Sequence, residues 1–428
     1  MTTRFSAESS LQVNEQVFVA SLVQQNSWIL DQLEDGSSLN TLSTSAQVRG
    51  TLSAELLQRC LDQLVQRHDI LRTTLRVQEG QLVQVIAPDL HVPVSVHNLQ
   101  TLSPQQLQAR VSFLTSQQSQ PPFDLQQGPL LRCSLLRLPE ECSLLVLSAH
   151  RAICDDWSLA LLMRELANQI EAGVAEQSVP TFSQTVPYAQ VALDQQGMSQ
   201  EERAAHLDYW RHHLDGAPTT LPLPIDYPRP AVAGVQAAHV DGLLSPAEGQ
   251  RVQALAQQYS VEPTEIWLAA FVILLARSSA QDDLVLGVQT PGRDVTQQEQ
   301  IGPYASLLLV RPDLSDDPEV GTLVQRVQGL LQAHRAHEAL PFETILKAVH
   351  PTRVQSQHPL FQVVLALPWN RPPLPPGWTF REDDPTHETT QYDLQLELRE
   401  TTHGLTSRFT YRRDLFAERT IQRMSAHW

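Results

Sequence analysis

Four cysteines in 428 residues, Cys60, Cys133, Cys142 and Cys154, carry no CxxC or other metal-ligand spacing. That removes the usual signature of a zinc site and fits a reduced, cytoplasmic compartment, although four thiols do not exclude two disulfides. Basic residues are also scarce. Lys and Arg number 30 against 47 Asp and Glu, a net charge of -17. This argues against nucleic acid or an anionic membrane as the main partner, since both attract basic patches. The longest apolar run, "IWLAAFVILLA" from Ile266 to Ala276, is too short to span a bilayer. The opening "MTTRFSAESSLQVNEQ" has no apolar stretch fit for a signal peptide. Gly-x-Ser-x-Gly, a Walker loop and a Rossmann fingerprint are all missing. No metal and no directly bound cofactor is expected.

What is present is a globular chain long enough for two domains, 42% hydrophobic and 18% charged. Helical spacing marks "SLVQQNSWILDQL" (Ser21–Leu33) and "SAELLQRCLDQLVQRHDIL" (Ser53–Leu71), the latter started by Ser53. "RTTLRVQEGQLVQVIA" predicts a hairpin around Glu79-Gly80, and Pro129–His150 a second one turning at Pro139–Glu141. The strand "CSLLVLSA" is apolar almost throughout, as expected of a central strand covered on both faces. A helix follows from Asp156, with Gly173 expected just past its end. The proline-rich stretch "LPLPIDYPRPAV" (Leu221–Val232) is the best boundary that composition offers. Beyond it strands and helices alternate again, including a buried helix from Pro263 and a long helix from Glu319.

His150 therefore stands where a buried strand ends, and Asp156 where a helix begins. Two readings of "HRAICDD" (His150–Asp156) stand side by side. In one, His150 is a general base and Arg151 holds a carboxylate or phosphate. In the other, His150 is satisfied by backbone, Arg151 pairs with Asp155 or Asp156, and Asp156 caps the helix. "HRAHE" (His334–Glu338) lacks the HExxH order and is expected to be a solvated helix face.

Taken in order, the segments resemble the condensation domain of nonribosomal peptide synthetases along nearly the whole chain. The likeness is carried by "SLVQQNSW", "RHDILRTTL", "PFDLQQGPLLR", "HRAICDDWS", "IGPYASLLLVR", "ALPFETIL", "HPLFQVVLAL" and "YRRDLFAERTIQRM". The resemblance implies an α/β (α+β) fold of two chloramphenicol-acetyltransferase-like lobes arranged as a V, spanning 1–179 and 180–428, with the signature in the cleft between them. It implies a monomer working with peptidyl carrier proteins and adjacent synthetase modules, whose phosphopantetheine arms reach the signature. It also places Asp155 against Arg293 in a structural ion pair, with Trp157 as a further structural residue.

This sequence departs from the HHxxxDG pattern where the chemistry lies. Arg151 replaces the second histidine and Asp156 the glycine, while Ser306 stands where an asparagine is usual. Arginine stays protonated and cannot take a proton from an amine. The form HRxxxDD resembles the X-domains of glycopeptide-antibiotic synthetases, which do not condense but recruit cytochrome P450 enzymes to a carrier-bound peptide. The expectation is thus a non-condensing recruitment domain, with Arg151 blocking the centre and engaging Asp156 or Glu338. The alternative is a condensation-type enzyme with altered chemistry, joining an acyl or aminoacyl thioester to an amine or hydroxyl acceptor.

Overall fold

The computed structural model of the chain describes residues 15–33, 40–119, 121–175, 187–293, 296–340, 342–350, 356–367, 371–381, 389–401 and 404–428. Two compact units emerge. One holds residues 1–197 together with 299–303 and 374–380; the other holds 198–298, 304–373 and 381–428. The boundary expected at 179/180 lies outside the described residues.

The first unit begins with β1 (Gln16–Val19), α1 (Leu22–Leu33), β2 (Thr41–Arg49) and α2 (Ala54–Arg67). The hairpin β3 (Thr73–Gln78) and β4 (Gln81–Ile86) turns at Glu79-Gly80, both at positive φ, as its sequence predicts. Then come β5 (Val94–Asn98), α3 (Pro104–Ser119), β6 (Leu131–Leu138), β7 (Cys142–His150), α4 (Asp156–Val174) and α5 (Ala189–Gly197). A late strand, β12 (Trp378–Phe380), joins this unit and closes one edge of its five-stranded sheet, ordered β12-β2-β7-β6-β5. β1, β4 and β3 form a separate three-stranded sheet. β7 is the middle strand, paired on both sides and buried from Ser143 to His150, so its continuous apolar run is explained. Val111 and Leu114 of α3 pack on Leu136, Leu144 and Val146 of the sheet. Such buried aliphatic side chains each contribute about 1.5–3 kcal/mol.

Gly173 does not end α4. It lies inside the helix, where a Cβ would stand 2.7 Å from Leu56 Cδ1 of α2. The glycine serves close helix packing instead of a C-cap.

The second unit contains α6 (Gln200–His213), β8 (Ala237–Leu243), α7 (Pro246–Tyr259), α8 (Pro263–Ser279), β9 (Leu286–Thr290) and β10 (Ser306–Val310). It continues with α9 (Val320–Arg335), α10 (Phe342–Val349), β11 (Val363–Ala366), β13 (Leu394–Thr401), β14 (Gly404–Arg412) and α11 (Glu418–His427). Its sheet runs β10-β9-β11-β13-β14-β8, with β11 parallel to both neighbours and the other pairs antiparallel. Phe271 and Leu275 of α8, Val327 of α9 and Ile421 of α11 bury against one set of strand residues. Trp210 of α6 and Ile345 of α10 share a second cluster with Leu309 and Val364. α8 is apolar on nearly every side because it is buried on nearly every side. Among the described residues no single helix is long and apolar enough to cross a membrane.

Candidate functional site

The signature sits in the first unit, on the turn between β7 and α4. The backbone N–H of His150 donates to Leu130 O at 3.0 Å, and its C=O accepts from Ile153 N–H at 3.0 Å. Its ring Nδ1 accepts the Ala152 N–H at 3.1 Å. That bond assigns the proton of the neutral ring to Nε2, which stands 3.6 Å from Asp31 Oδ1 on α1. With one nitrogen spent on the backbone and the other carrying the proton, the buried imidazole has no lone pair left for a substrate. Of the two readings of His150, the geometry supports the turn-forming one.

Arg151 follows at half-burial, its N–H donating to Asn40 O at 2.8 Å. The ion pair expected with Asp155 or Asp156 is not formed, and no carboxylate among the described residues of its unit lies within salt-bridge reach of its guanidinium. The reason is the cap. Asp155, buried, turns its Oδ1 onto the Ser158 N–H at 2.8 Å and starts α4 from an extended φ of -120°. Asp156 is therefore the first helical residue and exposed, where its charge suits the positive end of the helix; it is not the cap. Trp157 follows it, half-buried.

Ser158 was not singled out by its sequence, yet it holds a distant segment. Its Oγ donates to Gly302 O at 2.8 Å and accepts the Gly302 N–H at 2.9 Å. The same segment is gripped again by Tyr188, whose hydroxyl donates to Pro303 O at 3.2 Å and lies 3.0 Å from Ser21 Oγ. Arg164 of α4 pairs with Glu299 beside them. An N-cap residue followed three positions on by a buried serine was the available signal; nothing local points from Ser158 to Gly302.

α4 is also fixed from behind. Glu165, buried on its inner face, meets His68 Nε2 at 3.0 Å and Arg67 Nη1 at 3.3 Å. "RHDILR" thus works as an anchor: Arg67 and His68 hold the signature helix. Arg72 donates to Val65 O at 3.1 Å and Pro88 O at 3.2 Å and pairs with Asp69.

The remaining site residues lie in the second unit. Arg293 stacks its guanidinium 4.4 Å from the Tyr304 ring centroid and donates to Pro291 O at 3.1 Å. Gly292 before it adopts φ 60°, and a Cβ there would collide with Tyr304 O at 1.9 Å, so only glycine fits this turn. Ser306 opens β10 directly opposite Thr290 of β9, whose hydroxyl donates to Glu338 Oε1 at 2.8 Å. Asp155 and Arg293 belong to different units, and the pairing that the resemblance implies is a matter for mutagenesis.

Comparison with known proteins agrees with this fold. A family model described as the condensation domain matches residues 14–428. The chain is 35% identical over 418 residues to chondramide synthase cmdD of Chondromyces crocatus, covering 96% of this chain and 11% of that protein. It is 32% identical over 410 residues to malpibaldin synthetase of Mortierella alpina, covering 94% and 7%. The chain thus spans about a tenth of these curated relatives. Among solved structures, the X-domain from teicoplanin biosynthesis superposes with a TM-score of 0.82 at 26% identity, covering 98% of this chain and 95% of that one. The same X-domain in complex with OxyB gives 0.82 at 26%, covering 100% and 94%. The condensation domain of the polyketide synthase MokA shares the fold, with a TM-score of 0.81 at 18% identity, covering 96% of each chain. The chain belongs to the condensation-domain family of nonribosomal peptide synthetases, and it shares its fold with the X-domain.

Proposed function

We propose that this domain does not condense, and that it serves as a recruitment platform for a cytochrome P450 acting on a carrier-bound peptide. The observation that carries the reading is that neither residue at the two histidine positions of the signature, His150 or Arg151, offers a free proton acceptor. His150 Nδ1 is committed to the Ala152 N–H, and the next residue is a permanently charged arginine. An amine attacking a thioester must lose a proton, and neither side chain can receive it. Likeness to an X-domain solved together with OxyB supports the partner class. Carrier proteins and neighbouring modules would bring the peptide on a phosphopantetheine arm, and the P450 would meet it at high effective concentration, so moderate affinity suffices.

A second reading has its own support. The synthetase relatives are 35% and 32% identical, closer than the X-domain at 26%, which favours a condensation-type enzyme with altered chemistry. One experiment separates the two. The purified domain is given loaded donor and acceptor carrier proteins, and amide or ester is measured by mass spectrometry. In parallel, P450 enzymes from the same biosynthetic cluster are titrated against it. The recruitment reading expects product no faster than the enzyme-free control and saturable P450 binding. Product well above control, with no P450 bound, overturns it in favour of the second reading.

A further inference from the structure

In the second unit, α6 and the end of α9 meet through side chains that are almost all rings. "HRAHE" is not the solvated face its sequence suggests. His334 is fully buried, and among the described residues neither of its ring nitrogens has a hydrogen-bond partner. Its ring centroid lies 4.6 Å from that of His213 and 4.9 Å from that of Trp210, both on α6. One turn away His206 Nδ1 and His337 Nδ1 stand 2.8 Å apart, and Tyr209 stacks on His337 at 3.9 Å. Trp210 Nε1 donates to His337 O at 3.3 Å. Among the described residues no group of three or more ligands is placed to hold a metal ion.

The arrangement requires a neutral His334 and one bare Nδ1 in the His206–His337 pair. A bond between two Nδ1 atoms needs one N–H and one lone pair, so a second proton turns it into a repulsion. An imidazolium at His334 would be a charge without a partner in an apolar pocket. The charged groups nearby do not help. Arg311 donates to His213 O at 3.2 Å and, with His212, opposes a charge on His213; its own acid is Asp283. Arg335 faces Glu265, Glu338 is engaged by Thr290, and α10 brings Lys347. Glu202, an acid whose charge interacts with His206, is held by Ser199 in a capping box.

We propose that this ring cluster is a proton-operated joint: protonation of His213, His334 and His337 detaches α6 from the end of α9 and the following turn. The six-stranded sheet stays folded, while Glu338 is freed from Thr290 at the end of β9, two residues before Gly292. Burial and neighbouring positive charge hold His213 down at about 4 and His334 at about 3, and His337 is lowered as well. Depressed values mean that the detached state binds more protons than the docked one from about pH 6.5 downward. The docked state is therefore fully favoured above that pH and loses ground as pH falls toward the depressed values.

The test is hydrogen exchange on the full chain at about pH 7.5 and about pH 5, corrected for intrinsic exchange rates. Peptides covering 200–214 and 331–340 should lose about tenfold in protection at the lower pH, while those of β13 and β14 change less than about twofold. His334→Leu should suppress most of that loss, and His337→Gln should suppress part of it. His337 is only half-buried, so its variant serves if His334→Leu does not fold. Equal loss in the sheet peptides, no loss at all, or an undiminished acid response in the folded variants would overturn the proposal.

Discussion

At the scale of single residues, the signature turn assigns roles that its letters alone left open. Whether His150 was base or turn-former depended on which atom faced Ala152, and no spacing rule encodes that. The arginine at 151, by contrast, could be read from the sequence at once, because its chemistry is fixed. Arg151→His is expected to leave amide formation at the level of the enzyme-free control, since His150 remains committed and Asp156 and Ser306 also differ. A steady-state assay with loaded carrier proteins checks this; product several-fold above control would show that the arginine alone disables the site. A second prediction concerns Arg412, which the sequence did not single out. It is 2% exposed and reaches Asp393 at 3.3 Å and Asp414 at 2.6 Å. Arg229 shares Asp393. Arg412→Ala should cost about 3–5 kcal/mol, because two carboxylates lose a buried partner. Urea unfolding gives the value; a loss under about 1 kcal/mol would mean that water replaces the guanidinium.

At the scale of elements, what could be read from the sequence was local. The hairpins at Glu79-Gly80 and Pro139–Glu141, the N-cap Ser53 and the buried helix α8 all have their cause within a few residues. β13 had a readable signal too: Leu394, Leu396 and Leu398 are buried and alternate with less buried residues, as in a half-covered strand. β12 had none, because three residues become a strand only through the edge of β2 that they pair with. The bonds from Ser158 to Gly302 belong to the same class. Ser158→Ala should cost about 1–3 kcal/mol by leaving a buried N–H and C=O unpaired, and exchange protection at Gly302 should fall. An unchanged protection factor there would contradict the anchoring role. Acid sensitivity also has an element-level source beyond the ring joint. His358 sits 4.1 Å from Phe361 and 5.3 Å from Phe342 by ring centroids, and burial lowers it to about 4. Because the unfolded ring titrates near 6.5, stability should fall as pH drops from there toward 4, by up to about 1.4 kcal/mol per pH unit from this residue. His358→Phe should flatten that limb of the stability profile; an identical slope would remove His358 from the account.

At the scale of the whole molecule, the implied pairing of Asp155 with Arg293 is open to a double-mutant cycle. Loss of the cap alone makes Asp155→Ala cost about 1 kcal/mol. If the two charges also interact, Asp155→Ala and Arg293→Ala together should cost less than the sum of the single changes, by more than about 0.5 kcal/mol. Additivity within that margin would remove the pair that the resemblance implies. The net charge of -17 bears on recruitment in a similar way. Complementary charge mainly sets association rate, so P450 binding should weaken as salt is raised, chiefly through slower association in surface plasmon resonance. Salt-independent association would point to an apolar interface instead.

The discontinuity of the first unit has a consequence for how the chain is made. When the ribosome has released residues 1–197, Ser158 still lacks Gly302 and β2 still lacks β12. The nascent first unit waits with an ungripped helix start until Gly302 has emerged, and with an open sheet edge until residue 380 has, by which time much of the second unit exists as well. Its maturation is therefore late in synthesis instead of vectorial, and a gene cut after residue 197 would yield a fragment with that edge unpaired for good, a ready template for strand-to-strand aggregation.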